Sequence, residues 1–185
     1  MKQQRVALVI DGPNLYGMNQ FLLENFGKKI NFSAFLKHIT HIVKGRQLVV
    51  KRFYYDQHPQ INNDNSYAAY MNKMDLETIG VPLKIYSPGP NNPKAVKSRT
   101  DNKIIDEVMD LLYNDEFDHL ILVSGDSDFQ FLLERCKKMK KTVEVWAIYL
   151  ALAHEIKNTA ETFLFEDKNL RHLLVTEKKT KKRAS

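Results

Sequence analysis

The sequence predicts an α/β protein, a three-layer α/β/α sandwich around a mostly parallel sheet. Three observations carry this. Short apolar runs rich in β-branched residues alternate with segments of helical period along the chain. Two of those runs stop abruptly in small polar and acidic residues, at "VIDGPN" and at "LVSGDSD". The third is composition: 185 residues, 43% hydrophobic and 27% charged, suit a globular domain that buries a proper core.

In chain order, 5–10 (RVALVI) reads as a buried strand closed by Asp-Gly. Two helical segments follow, 15–26 and 31–44, the second with Asn31 or Ser33 as its cap. Residues 47–56 form the next strand, and "QHPQINNDN" a polar loop. The spacing of Tyr67, Tyr70, Met71 and Met74 predicts a helix over 66–80, with Gly80 as its stop. "VPLKIYS" is a third strand. The 14 residues 88–101 contain three prolines and no period, which marks a long functional loop. Ile104, Ile105, Val108, Leu111 and Leu112 then give an amphipathic helix. "DHLILV" is a fourth strand, "SDFQFLLERCKKM" a helix, "TVEVWAIYL" a fifth strand and "HEIKNTAETF" a closing helix. No repeat or internal boundary interrupts residues 1–176.

The net charge is +6, and its location matters more than its size. Lys178, Lys179, Lys181, Lys182 and Arg183 lie in the last eight residues; the other 23 basic residues nearly balance the 22 acidic ones. Residues 177–185 therefore read as a disordered basic tail, either a tracker of phosphate backbones or a solubilising end. A single cysteine, Cys136, excludes an intrachain disulfide and points to a reducing compartment, the cytoplasm. No apolar run reaches the roughly 18–20 residues of a membrane span, and the start lacks the pattern of a signal peptide.

Acidic residues define the candidate chemistry. In a parallel sheet, the strand ends that lead into helices share one edge, so Asp11 and the pair Asp126 and Asp128 meet there. Asp101 opens the amphipathic helix, and its spacing to Ile105, Val108 and Leu112 sets it above the stripe that packs on the sheet. Each has a plainer reading: Asp11 as a turn former, Asp101 and Asp128 as helix caps. No basic residue accompanies the four. Like charges brought together need a proton or a cation, and Mg²⁺ or Mn²⁺ suits oxygen ligands. Asn14 is placed to reach back as a neutral ligand or phosphate contact. Lys97 and Arg99 precede Asp101, either solvated or positioned on a phosphate strand. Tyr16, Tyr54 and Tyr55 either stack on bases or belong to the core. His38 and His41 lack a further ligand for zinc, and Cys136 reads as a small buried hydrophobe.

"DGPN" after the first strand, an aspartate opening a mid-chain helix and "SGDSDF" after the fourth strand resemble the NYN domain, the LabA-like branch of the PIN nuclease superfamily. The order and spacing agree over roughly 5–165, including "RFYYD" and "HEIKNTAETF". The resemblance implies a PIN-like, Rossmannoid fold and metal-dependent cleavage of RNA. It implies Asp11, Asp101, Asp126 and Asp128 as metal-binding and catalytic residues, with Asn14 and Ser124 as polar support. The chain departs from the family in two places. "KSRTD" stands where Lys-Gly-Val-Asp is frequent, and His154 where a serine is usual. A dehalogenase-type phosphatase would need Asp-x-Asp after the first strand, and a topoisomerase-primase domain a glutamate there; this chain has neither. The remaining alternative is a weakly catalytic RNA-binding or regulatory module on the same fold. RNA is the expected partner, and assembly into a homo-oligomer stays open.

Overall fold

The computed structural model describes residues 3–57, 66–86 and 95–176. The polar loop after residue 57, residues 88–94 of the proline-rich stretch and the basic tail lie outside the described residues.

Strand β1 (Arg5–Asp11) runs straight into helix α1 (Gly12–Phe26). After β2 (Lys28–Ile30) comes α2 (Phe32–Ile42), capped by Asn31, whose side chain accepts from the Ala34 amide. Then follow β3 (Gln47–Gln57), α3 (Ser66–Lys73), β4 (Glu77–Pro82), β5 (Lys84–Tyr86) and β6 (Ala95–Lys97). Helix α4 (Thr100–Tyr113) leads to β7 (His119–Val123). A short 3-10 turn (Ser127–Phe129) opens α5 (Gln130–Lys138), followed by β8 (Thr142–Ala147), α6 (His154–Thr159), β9 (Glu161–Leu164) and β10 (Leu174–Thr176).

Six strands form the central sheet in the order β4-β3-β1-β7-β8-β9, every pair parallel. The chain builds outward from β1 through β3 to β4, then crosses back and builds outward again through β7, β8 and β9. Strands β1 and β7 therefore flank the switch point at which the order reverses, where open α/β sheets leave a crevice at the strands' carboxyl ends. The two strands are buried along almost their whole length: Val6, Ala7, Leu8, Val9 and Ile10 face no solvent, nor do Leu120 to Val123. Strands covered on both faces read as continuous apolar runs, which is why these were legible.

Helices lie on both faces. Phe35 of α2 packs edge-on to Trp146 of β8 on one face. Tyr54 turns to the other, where its hydroxyl donates to Glu107 of α4. Ile104, Val108, Leu111 and Leu112 of α4 are buried, as the period predicts, while Ile105 is only partly covered.

Three expectations change. The helix over 66–80 ends at Lys73, and the chain turns at Asp75 with a left-handed φ of 63°. Gly80 is then not a stop but a residue of β4 opposite Tyr55; the β-branched Thr78, Ile79 and Val81 favour the strand. The closing helix also stops early, at Thr159, and residues 161–164 form β9 because Phe163 stacks on Trp146 at 5.0 Å. Finally, β2 with β10 and β5 with β6 form two small antiparallel pairs. Three residues are too few to show a period.

Candidate active site

Asp11 ends β1 and caps α1. Its Oδ1 accepts from the Asn14 amide at 3.1 Å and its Oδ2 from the Ser124 hydroxyl at 2.9 Å. The expectation of a plain turn former changes: the carboxylate caps a helix and lies at the switch point. It is 1% exposed. Burial pushes its pKa up to about 7, against the opposing pull of the Asn14 and Ser124 hydrogen bonds, and the charges of Asp101 and Asp126 push the same way.

Short polar bonds tie the two strand ends together. Ser124, fully buried, also accepts from the Asp126 amide at 3.3 Å. Asn14 accepts from the Gly125 amide at 3.1 Å, which leaves its NH₂ group without an acceptor among the described residues. Two glycines permit the close fit. A Cβ on Gly12 would lie 2.3 Å from the Tyr54 carbonyl, and one on Gly125 2.0 Å from that of Ala151.

Asp126, half-buried, accepts from the Asp128 amide at 3.0 Å, so Asp126 rather than Asp128 caps the short helix. Asp128 is exposed on its first turn. Asp101 sits in the first turn of α4 and caps nothing: no side-chain cap closes that helix, and Asp101 accepts no hydrogen bond from the described residues. Its pKa is raised, first by burial and then by the charges of Asp126, Asp128 and Asp56. The fold thus brings Asp11, Asp101 and Asp126 into mutual electrostatic range, with Asp128 on the rim beside Asp101. None of the groups acting on Asp11 or Asp101 is a cation.

The two basic candidates stand apart. Arg99 donates to the Pro82 carbonyl at 3.2 Å. Lys97 is exposed on β6, directly across from Lys84 on β5. Like charges opposite each other in a ladder are unfavourable unless something anionic answers them.

Asp56, at the carboxyl end of β3, went unread in the sequence. Its Oδ1 accepts from Ser98 at 2.6 Å and from Thr100 at 2.7 Å. The Ser98 hydroxyl in turn accepts from the Thr100 amide at 3.1 Å, and Thr100 is fully buried. Asp56 therefore fixes the start of α4 and with it Asp101. "YYD" gave the one available signal, a carboxylate at the end of a strand, as at Asp11. His38 packs against Trp146 and His172 instead of forming a ligand set, and Cys136 is buried as expected.

Oxygen donors, net negative charge and a carboxyl group held near pKa 7 fit a hard divalent cation in chemistry. Among the described residues, no three acidic, imidazole or thiol groups stand close enough to enclose an ion between them. Mg²⁺ does not require such a cage; it keeps several waters and binds through one or two carboxylates.

The model of the NYN domain matches residues 5–171, nearly the whole described chain. The chain belongs to the NYN domain family. This places it in the PIN-like nuclease superfamily, and its six-stranded parallel sheet with helices on both faces is the fold of that group. The crystal structure of a protein of unknown function from Vibrio parahaemolyticus superposes with a TM-score of 0.72 at 18% identity, covering 95% of this chain and 100% of that one. At that identity the likeness speaks for the fold alone. No curated protein matches the chain significantly. Within this NYN domain, Asp11, Asn14, Ser124 and Asp126 occupy the switch point, and no described helix is long and apolar enough to cross a membrane.

Proposed function

We propose that this NYN domain is a divalent-metal-dependent ribonuclease that cleaves RNA phosphodiester bonds at the carboxyl edge of β1 and β7. One observation carries the reading. Asp11 is a buried carboxylate at the switch point, crowded by Asp101 and Asp126, and no cation is among the described groups that act on it. Asp11, with Asp101 or Asp126 as a second carboxylate, would hold Mg²⁺ or Mn²⁺ together with waters, and Asp128 lies on the exposed rim. Such an ion supplies an activated water and neutralises charge developing on the phosphate.

The chain's own groups prepare the site. Ser124 fixes the rotation of the Asp11 carboxyl through Oδ2, and Asp56 holds the start of α4 so that Asp101 faces the edge. The unengaged NH₂ of Asn14 is available to a phosphate oxygen. Lys97, opposite Lys84, and Arg99, on the Pro82 carbonyl, offer phosphate contacts apart from the carboxylates, and the basic tail adds long-range attraction for RNA. The buried free Cys136 suits a reducing cytoplasm.

The absence of a ready three-ligand cage among the described residues favours a second reading, an RNA-binding module with negligible turnover. Incubating the full chain with a panel of single-stranded and structured RNAs separates the two. Cleavage with Mn²⁺ or Mg²⁺ that EDTA abolishes supports the nuclease; metal-independent binding without cleavage supports the module.

A further inference from the structure

Beside Gly12 the carboxyl edge opens into a cleft of about 610 Å³. That is within the roughly 300–1,000 Å³ of small-ligand sites. Tyr16 and Gln20 of α1 line it on one side and Phe53 and Tyr55 of β3 on the other, with Asp56 and Gly12 joining it to the acidic cluster. The strand's alternation sorts the neighbouring tyrosines. Tyr54 is fully buried with its hydroxyl on Glu107, while Tyr55 faces the cleft with its ring nearly parallel to Phe53, at 16°.

Tyr16 is the distinctive member. It is 62% exposed, yet its hydroxyl accepts from Gln20 Nε2 at 2.7 Å, one helical turn on. The tether holds a large aromatic face open to solvent at the wall of the cleft, where a flat group can stack on it. The cleft is mainly apolar at its walls and carries amides, a carboxylate and Lys29 among its polar groups, which matches the apolar faces and polar edges of a nucleobase. Its position supplies the rest. A phosphate held at Asp11 puts the adjoining nucleotide next to Gly12, at the cleft's mouth.

We infer that this cleft receives one unstacked base of a single-stranded RNA whose neighbouring phosphate lies at the acidic edge. The inference rests on the ribonuclease reading for the identity of the ligand. It implies that base-paired RNA, whose bases are stacked away, binds less well than an open strand.

The test is fluorescence anisotropy in EDTA with three labelled probes: a uridine 12-mer, an abasic ribose-phosphate strand of equal length, and a blunt RNA duplex. The full chain is compared with Tyr16→Ala and Tyr16→Phe, each checked for folding by circular dichroism. The wild type binds the uridine strand more tightly than the other two. Tyr16→Ala weakens uridine binding by roughly 5- to 100-fold and leaves the abasic strand unchanged, while Tyr16→Phe retains most of the affinity. Equal affinity for the uridine and abasic strands, or a Tyr16→Ala variant that binds uridine as the wild type does, overturns the inference. Because binding is read without metal, the two proposals fail separately. Metal-dependent cleavage without base preference removes only the cleft; base preference without cleavage in Mn²⁺ removes only the nuclease.

Discussion

Ser124 Oγ donates to Asp11 Oδ2 at 2.9 Å across the junction of β7 and β1, joining two motifs that lie 113 residues apart in the chain. The bond has a direct electrostatic consequence. It opposes the burial that drives the Asp11 carboxyl toward its neutral form, so the site sits near the balance between proton and cation.

The first prediction is a pH dependence of stability without metal. The folded-state pKa of Asp11, about 7, lies above the ordinary aspartate value of 3.8, so between the two the folded chain holds a proton that the unfolded chain releases. Stability from this group is greatest in acid, falls as pH rises between those values, and is level above. Asp118, Asp115 and Glu107, held down by their basic and hydroxyl partners, act oppositely, losing their contribution only below the ordinary carboxylate range. Asp101, raised in the same way, adds to the fall, while His38, held by burial below the ordinary imidazole range, opposes it up to that range. In EDTA the part of the fall due to Asp11 should therefore be read as the difference between wild type and Asp11→Asn across pH 5 to pH 8. Asp11→Asn, which keeps a competent helix cap, should flatten that fall and stabilise the metal-free chain at pH 8 by roughly 1–3 kcal/mol. Calorimetry at the two pH values checks both.

Cation binding should show the converse. A ligand that binds only the folded state raises the melting temperature by mass action, and a carboxylic acid must lose its proton to coordinate. Mn²⁺ should therefore stabilise the wild type more at pH 8 than at pH 6. Ser124→Ala removes a bond that favours the ionised form of Asp11, and should move the midpoint of this response to higher pH. Asp126→Asn should reduce the response at both pH values. A thermal-shift titration that finds the same response in all three proteins counts against the assignment.

Two glycines of one helix should respond oppositely to alanine. At Gly12 a Cβ would meet the Tyr54 carbonyl at 2.3 Å and the Phe53 ring at 2.8 Å, so the start of α1 must move away from β3. Gly12→Ala should cost roughly 2–4 kcal/mol by overpacking and disturb Asp11 next to it. At Gly17, five residues on, nothing lies within 4 Å, and alanine should stabilise the helix by about 0.5–1 kcal/mol. Urea unfolding of the two variants measures both signs.

Much of the fold was legible because β1 and β7 are covered on both faces, and their apolar runs end where the chain must turn. The carboxylates were legible for the same reason: an aspartate after such a run can only lie along the sheet edge. Asp56 was missed although the end of its strand was read, because its role is set by Ser98 and Thr100, which lie 42 and 44 residues further on. Gly80 misled because a glycine after a helical pattern usually stops a helix, whereas the left-handed turn here falls on Asp75. Strand β9 was hidden by a continuous helical pattern. Only Trp146, on the neighbouring strand, gives Phe163 a reason to extend. At "SGDSD" the plainer reading offered Asp128 as the cap of a helix starting near Phe129; the helical turn starts at Ser127 instead, so the cap falls on Asp126.

The central claim, that the acidic edge cleaves RNA, is tested most directly by single-turnover cleavage of a labelled RNA in Mn²⁺, with wild type and Asp11→Asn at saturating protein. Anisotropy on the same RNA in EDTA confirms that both bind. Wild type should cleave the RNA, and EDTA should stop it. Asp11→Asn should lose at least about 100-fold in rate with binding kept, the scale set by losing a main electrostatic contribution to the transition state. Equal cleavage rates in the two proteins, or wild-type cleavage that persists undiminished in EDTA, would contradict it.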